Sequence, residues 1–406
     1  MTVIIARAVV TSLLLAGATA VAAWWARWRF PRRVSTRLAR SFVAIGALMA
    51  LASALVTLAS PGTQTDWMLG AHEISLVVFG TLLSWIACVL ALEAALASPR
   101  LTRSLLRRWS RAKAPTDPPL DDRGAARREA IAKIGAGVLS GVGTATVAWG
   151  SLHTRLDVEV VEVPIRLARL PRVLDGFSIV QLSDIHIGPF FGEARLREVE
   201  DVVRRLKPDL IAMTGDLVDV QPRYFPVGAA FLARLSPIAR HGVFAIPGNH
   251  EHYAGAQAFE EALTRAGIDV MINRGRRIAP GDGGGFALVG VDDVSSLDHR
   301  RGPGPLVAGA LSSLPPDRAR VLLCHQPSYL ATAAANRFDL MLSGHTHGGQ
   351  IAVVGQALVR SLFRNYAGLG ALAGTQIYVN RGLGTSGPPV RVGIRPEITK
   401  LVLVSG

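Results

Sequence analysis

Seven side chains of the kinds that bind metal ions stand directly after short apolar runs in this sequence. They are Asp184 and His186 in IVQLSDIHIG, Asp216 in LIAMTGDLVD, Asn249 in VFAIPGNHEH, His325 in VLLCHQP, and His345 and His347 in LMLSGHTHGG. An isolated aspartate after glycine usually forms a turn, and an isolated histidine is usually a hydrogen-bonded core residue. Because the same arrangement recurs at five places, the sequence predicts one cluster.

The types and number of these side chains indicate which ions they would bind. Carboxylate, imidazole and amide oxygen donors together suit divalent ions such as Mn, Fe or Zn and disfavour a thiolate site. Seven donors exceed what one ion needs, so the count predicts two ions that share a carboxylate. Glycine beside a ligand is expected, since a backbone that passes close to an ion leaves no room for a Cβ.

The segments that must position these side chains have the pattern of a layered α/β fold. From Leu156 onward, short runs of β-branched residues alternate with helical patterns. Strands are predicted at 158–163, 178–182, 210–214, 243–246, 286–291, 320–324, 340–342, 377–380 and 399–404, and helices at 194–206, 226–235 and 256–266. Reactive groups in such folds collect where strands give way to loops. The GDGGG stretch at 281–285 predicts a hairpin tip, because no helical pattern follows it.

The first third of the chain has a different character. Apolar stretches at 3–25, 41–60 and 74–92 are each long enough to cross about 30 Å of hydrocarbon. Six arginines lie in the connection between the first two stretches, and none lies in the connection between the second and the third. Because basic loops stay on the cytoplasmic side, the first connection is expected in the cytoplasm. After a basic linker at 98–133, the uncharged run at 134–153 predicts a fourth crossing or, alternatively, an amphipathic linker. The sequence thus predicts a multi-pass membrane protein with residues 154–406 outside the cytoplasm.

The charge distribution bears on possible partners. Residues 1–133 carry 17 Lys and Arg against 7 Asp and Glu, a net +10, so only +4 of the total +14 falls on the remaining residues. A surface for nucleic acid should carry its basic excess on the folded domain, so we expect no nucleic-acid partner. The two cysteines, Cys88 and Cys324, both lie in apolar runs, so we expect no disulfide framework.

Residues from about 157 to 404 resemble the calcineurin-like metallophosphoesterase family. Its motifs D-x-H, G-D-x-x-D, G-N-H-[DE], H and G-H-x-H are present complete and in order, and LPRVLDGFSIVQLSDIHIG and NRGLGTSGPPVR resemble its bacterial membrane-associated branch. The resemblance implies a layered β-sandwich flanked by helices, here preceded by an α-helical transmembrane region. It also implies one ion held by Asp184, His186, Asp216 and His347, and another held by Asp216, Asn249, His325 and His345.

The same resemblance implies a reaction. A water activated by the two ions would hydrolyse a phosphomonoester, phosphodiester or pyrophosphate bond, and His250 would stabilise the transition state or protonate the leaving oxygen. Asp219 and Glu251 would either orient a histidine or be ordinary capping carboxylates. The remaining histidines of this part of the chain are interpreted as loop residues: His241, His252 and His299.

Two other functions stay open on the sequence alone. One is a non-catalytic metal-binding receptor or scaffold, which a complete ligand set disfavours. The other is a nuclease, which the small charge of residues 134–406 disfavours. If the domain lies just outside a bilayer, its partners would be the lipid bilayer and lipid-linked or cell-envelope phosphates.

Overall fold

The computed structural model describes residues 141–406 except 279–283, 295, 297–306, 312–317, 354–355 and 358–364, together with scattered positions before residue 141. The chain divides into two units, residues 1–151 with 387–390 and residues 152–386 with 391–406. All the elements named below lie in the second unit, which also holds every residue of the predicted cluster.

Fourteen strands and six α-helices are present in the described residues of this unit. The strands are β1 (Glu159–Leu167), β2 (Ser178–Leu182), β3 (Leu210–Thr214), β4 (Val243–Ile246), β5 (Asp269–Val270), β6 (Arg274–Ile278), β7 (Phe286–Gly290), β8 (Arg320–Leu323), β9 (Leu340–Ser343), β10 (Ala352–Val353), β11 (Gln356–Ala357), β12 (Gly368–Leu372), β13 (Thr375–Val379) and β14 (Glu397–Ser405). The helices are α1 (Glu193–Leu206), α2 (Phe225–Leu235), α3 (Asn249–Ala254), α4 (Ala256–Arg265), α5 (Val307–Leu311) and α6 (Leu330–Ala335).

The strands form two mixed six-stranded sheets and a two-stranded hairpin. The first sheet has the order β1-β14-β2-β3-β4-β5 and the second β12-β13-β9-β8-β7-β6. In the first sheet β2, β3, β4 and β5 run parallel to one another, and in the second β7, β8, β9 and β13 do so. The carboxyl ends of the parallel strands therefore share one edge in each sheet.

Three apolar clusters hold the layers together. One lies between the sheets and takes inward side chains from both, for example Ile179 and Leu210 from the first and Leu323 from the second. Alternate residues of the first sheet, such as Val180 and Ile211, pack instead under α1, α2 and α4. A third cluster packs α5 and α6 on the second sheet. This strand alternation gives a helix, sheet, sheet, helix order and confirms the predicted layered α/β fold with mixed sheets.

The local signals in the sequence account for most of these elements. Strands β2, β3 and β4 begin and end where they were predicted, and α1 begins one residue earlier. Helix α1 buries Leu196, Val199 and Val203, which lie three and four residues apart on one face. The helix ends at Leu206, and the next residue, Lys207, has a left-handed φ of 47° and is followed by Pro208. Strands β6 and β7 pair antiparallel on either side of the predicted hairpin tip, most of which lies outside the described residues.

The predicted multi-pass membrane location with an extracytoplasmic catalytic domain is corrected by the structure. Among the residues it describes, no helix is long and apolar enough to cross a bilayer. The spans predicted at 3–25, 41–60 and 74–92 fall almost wholly outside those residues, as does the linker at 98–133. Of the fourth predicted span, at 134–153, the structure describes residues 134, 138 and 141–153, of which 134, 138 and 141–152 are helical.

Truncating a side chain between the sheets should destabilise the second unit. Phe286 is fully buried there and packs edge-on against Phe177, with ring centroids 5.4 Å apart. We expect Phe286→Ala to lower the free energy of unfolding by about 3–5 kcal/mol, since it leaves a cavity. Urea unfolding followed by far-UV circular dichroism without metal measures this. Val173→Ala, at a side chain that is 65% exposed, is the control; equal effects of the two changes would contradict the packing described here.

Candidate metal centre

The predicted ligands lie at the strand ends of both sheets. Asp184 and His186 follow β2, Asp216 follows β3, and Asn249 follows β4, whereas the other three follow β8 and β9 of the second sheet. Contacts across the gap join the two sheets: the backbone N–H of His345 donates to Asp184 Oδ1 at 2.9 Å. The structure thus brings all seven side chains to one place, at the carboxyl edges of the two sheets.

One group of side chains gathers around Asp184. His347 Nε2 lies 3.4 Å from Asp184 Oδ1 and 3.1 Å from His186 Nε2. His186 Nε2 also lies 3.7 Å from Asp216 Oδ2, and its other ring nitrogen, Nδ1, is buried without a hydrogen bond. These four side chains are almost completely buried. Ligand atoms of Asp184, His186 and His347 lie within 4.8 Å of one another, close enough to hold one cation.

A second group gathers around Asn249. Its Oδ1 lies 2.9 Å from His345 Nδ1 and 3.2 Å from His325 Nε2. His325 Nε2 is also 3.2 Å from Asp216 Oδ2. Since His325 Nδ1 contacts the carbonyl oxygen of Thr214 at 2.8 Å, that nitrogen must carry a proton, and Nε2 is the atom left to bind an ion.

The pKa values of two ligand histidines favour metal binding. Burial lowers the pKa of His186 and of His345 to about 4, so both rings are neutral and offer a lone pair. Burial would lower the pKa of a third, His325, but the charge of Asp216 outweighs it and raises that pKa well above its usual range, so an ion there must displace a proton. Burial also raises the pKa of Asp184 to about 6. Burial would raise the pKa of Asp216 too, but the charges of His325 and His250 outweigh it and lower that pKa well below its usual range. The donor set therefore fits divalent ions. In each of two groups, at least three ligand atoms lie close enough to one another to hold one ion.

The backbone at the ligands is unusual. Asp184, His186, Asp216, His345 and His347 all have positive φ, between 50° and 72°. A left-handed conformation costs a non-glycine residue about 1–2 kcal/mol. These residues lie beyond the regular strands, so the two-residue spacing of Asp184 and His186 does not by itself place their side chains on one strand face. Their side chains meet because the chain turns sharply at each strand end.

Glycines make the close approach possible. A Cβ on Gly248 would overlap Asp216 Oδ1, and a Cβ on Gly344 would overlap the side chains of Ser183 and Asp184. At Gly215, whose φ is 93°, a Cβ would lie 2.6 Å from His325 Nδ1. The glycines of the GD, GNH and GHTH motifs therefore keep space for the ligands themselves.

His250 borders the first group without belonging to either set of predicted ligands. Its ring lies edge-on to His186, with centroids 4.5 Å apart, and its Nδ1 contacts the backbone oxygen of Asp219 at 2.9 Å. The Asp219 carboxylate lies 3.3 Å from the same nitrogen and 3.8 Å from His186 Nδ1. Asp219 thus faces two histidines of the centre. His250 also forms a ligand-like triplet with His186 and Asp216.

Glu251 is an internal support of the centre. It is completely buried, and its Oε2 accepts hydrogen bonds from the backbone N–H groups of Asp216 and Gly248, both at 2.8 Å. Its Oε1 accepts from the N–H of Val218 at 3.1 Å. Burial raises its pKa to about 7, and the nearby charge of Asp216 adds to this. Glu251 therefore ties together the two loops that carry Asp216 and Asn249.

Several residues near the centre were missed by sequence reasoning. His252 is not a loop residue: it lies on α3, and its Nε2 is 2.7 Å from the buried carboxylate of Asp292. Asp293 accepts both hydrogen bonds from Gln326, at 2.9 and 3.1 Å. The signal available was that Asp292 and Asp293 also follow a strand, β7. His241 lies in a turn before β4, as expected, and His299 lies outside the described residues.

Comparisons with known proteins agree with this geometry. A family model described as calcineurin-like phosphoesterase matches residues 177–349. An uncharacterized metallophosphoesterase of Aquifex aeolicus is 34% identical over 252 residues, 61% of this chain and 92% of that protein. Another, YkuE of Bacillus subtilis, is 33% identical over 253 residues, 61% of this chain and 86% of that one.

A longer relative matches as well. A Danio rerio protein named "Transmembrane protein with metallophosphoesterase domain" is 34% identical over 275 residues, which is 66% of this chain and 62% of that protein. The chain thus spans a little under two thirds of the length of this relative.

Removing the charge of Glu251 should weaken metal binding. In Glu251→Gln an amide NH₂ group would replace one acceptor oxygen. It would then face at least one of the three backbone N–H groups that now donate to the carboxylate. We expect the affinity for metal to fall by about 10- to 100-fold, as is typical when a group that supports a ligand is lost. Competition with a chromophoric chelator measures the affinity. Glu198→Gln, at a carboxylate that is 60% exposed, is the control; wild-type affinity in Glu251→Gln would contradict the role assigned here.

Proposed function

This chain belongs to the calcineurin-like phosphoesterase family, and we propose that the cluster of seven side chains is its catalytic metal centre. The chain is a metal-dependent phosphoester hydrolase that uses two divalent metal ions. In our proposal the first ion is held by Asp184, His186, Asp216 and His347. The second ion is held by Asp216, Asn249, His325 and His345.

The position of Asp216 is the observation that carries this proposal. Its Oδ2 lies 3.7 Å from His186 Nε2 and 3.2 Å from His325 Nε2, so one carboxylate faces both groups. Its Oδ1 accepts the backbone N–H of His250 at 3.0 Å, which fixes the plane of the carboxylate. A shared carboxylate keeps two ions close enough to act on one phosphate.

The chemistry divides between the ions and the side chains. When bound, the two ions supply an activated water and neutralise the charge on the phosphoryl oxygens. Burial would lower the pKa of His250, but the charges of Asp216 and Asp219 outweigh it and raise this pKa to about 9. His250 is therefore protonated near neutral pH. Because its Nδ1 is held by Asp219, its Nε2 is the atom that donates a proton to the leaving oxygen.

The proposed substrates are phosphomonoesters, phosphodiesters or pyrophosphates, and the proposed ions are Mn, Fe or Zn. The proposal does not extend to lipid-linked substrates, because that expectation depended on the membrane location that has been corrected. We propose residues 154–406 as the extent of the hydrolase domain. A chain that bound two ions but hydrolysed none of a wide panel of phosphate esters would instead be a metal-binding receptor or scaffold.

Neutralising Asp216 should abolish hydrolysis. Asp216→Asn keeps the shape of the side chain but removes the charge that the two ions share. We expect turnover of p-nitrophenyl phosphate and bis(p-nitrophenyl) phosphate with added Mn²⁺ to fall at least about 10²-fold. Asp201→Asn, at an exposed carboxylate on α1, is the control. Undiminished turnover in Asp216→Asn would reject the proposed centre.

Replacing His250 should separate proton donation from metal binding. We expect His250→Gln to lower kcat by about 10²- to 10⁴-fold for an alkyl phosphate, whose leaving oxygen needs a proton. The loss should be smaller for p-nitrophenyl phosphate, whose leaving group is stable as an anion. Bound metal, measured by plasma mass spectrometry, should stay at two equivalents, with His241→Gln as the control. Loss of one equivalent would make His250 a ligand and contradict the role proposed here.

A further inference from the structure

Arg391 is the arginine that the described part of the chain buries completely. It belongs to the NRGLGTSGPPVR phrase, to which sequence reasoning gave no role. Burying a guanidinium is costly unless its N–H groups find acceptors. The environment of Arg391 therefore indicates what its charge and shape are used for.

The carbonyl oxygens that accept from Arg391 lie in one short loop and are reached by its Nε and Nη2, whereas its Nη1 is buried without a hydrogen-bond partner among the described residues. Its Nε and Nη2 both donate to the carbonyl oxygen of Gly384, at 3.0 and 2.6 Å. Nη2 also contacts the carbonyl oxygens of Arg381 and Gly382, at 2.9 and 3.0 Å. The same Nη2 lies 3.2 Å from His347 Nδ1, on the opposite side of the ring from the nitrogen that faces Asp184. Because a guanidinium only donates and an ion on Nε2 leaves the ring proton on Nδ1, this is a packing contact when the ion is bound.

That loop in turn supports Asp184. The backbone N–H of Gly384 donates to the carbonyl oxygen of Asp184 at 2.7 Å, and the N–H of Leu383 donates to that of Ser183 at 3.0 Å. A Cβ on Gly382 would lie 2.6 Å from Asp184 Cβ. Arg391 therefore touches one proposed ligand of the first ion directly and holds the loop behind another. Its hydrogen bonds among the described residues do not reach Asn249, His325 or His345.

We propose that Arg391 is a positioning residue for the first ion alone, holding the loop behind Asp184 in place and packing against the ring of His347. This inference rests on the proposed ligand assignment. The planar guanidinium holds several carbonyl oxygens in a fixed arrangement, which a lysine ammonium cannot reproduce. Its positive charge by itself disfavours a nearby cation, so the geometric and electrostatic effects of removing it have opposite signs. Positioning is the larger effect in this proposal.

Two substitutions distinguish these effects. Arg391→Lys keeps the charge and loses the fork, whereas Arg391→Met loses both. We expect both changes to weaken the binding of one ion by about 10- to 100-fold and leave the other ion unchanged. Binding isotherms with Mn²⁺ measure the two affinities. Electron paramagnetic resonance then distinguishes the coupled signal of an Mn²⁺ pair from the six-line signal of an isolated Mn²⁺. When less metal is added than the two sites can bind, both variants should show the six-line signal.

Matched controls use Arg395, an arginine that is partly exposed and pairs with Asp157. Arg395→Lys and Arg395→Met should bind two ions as the unaltered chain does. Wild-type affinity for both ions in Arg391→Lys, or tighter binding in Arg391→Met, would overturn the inference. If the unaltered chain itself bound fewer than two ions, the ligand assignment would fail instead, which separates the two failures.

A measurement on the unaltered chain covers the case in which neither variant folds, as judged by circular dichroism. In protein labelled with ¹⁵N-arginine, the Nε–H signal of Arg391 is identified by slow exchange with solvent, since the group is fully buried. During titration with Zn²⁺, the chemical shift of this signal should change as the ion beside His347 binds. A signal that stays unchanged through both equivalents would overturn the inference.

Discussion

The buried carboxylate of Asp216 is the interaction on which the rest of this structure depends. It is buried between two groups of ligand atoms, where the backbone N–H of His250 donates to its Oδ1 and the rings of His186 and His325 face its Oδ2. A carboxylate in such a place is costly unless positive charge lies beside it. Two divalent ions supply that charge. The convergence of the strand ends from both sheets thus brings this carboxylate to a place where a cation is favoured.

The requirement to bring ligands together from two sheets explains the backbone at the centre. Ligands that follow β2, β3 and β9 leave their strands through left-handed residues, each of which costs free energy. Glycines at 215, 248 and 344 occupy the positions where neighbouring ligands approach most closely. The left-handed residues and the glycines at these positions allow the ligands to approach one another this closely. The ligand side chains are thus preorganised: they already lie close together, so binding an ion requires little movement of the backbone.

Around the ligands lies a set of buried polar groups that fix their orientation. Glu251 joins the loops after β3 and β4 through three backbone hydrogen bonds, and Arg391 gathers the carbonyl oxygens behind Asp184. Asp292 holds His252 on the same short helix as His250. These groups are not among the proposed ligands, yet they determine where the ligand atoms point. A catalytic centre built on loops depends on such support, since loops alone are less rigid than strands.

The sequence by itself determined the strands of the core and the identity of the predicted ligands, because both have strong local signals: β-branched runs for β2, β3 and β4, and the D-x-H, GNH and GHTH motifs after them. It did not determine the roles of His252 or Arg391, since their partners are far away in the chain: Asp292 is 40 residues from His252, and His347 is 44 residues from Arg391. It also predicted a membrane location from apolarity alone, which the described residues do not support. Only the tertiary structure decided which buried polar groups meet, because burial and distance arise when the two sheets pack together.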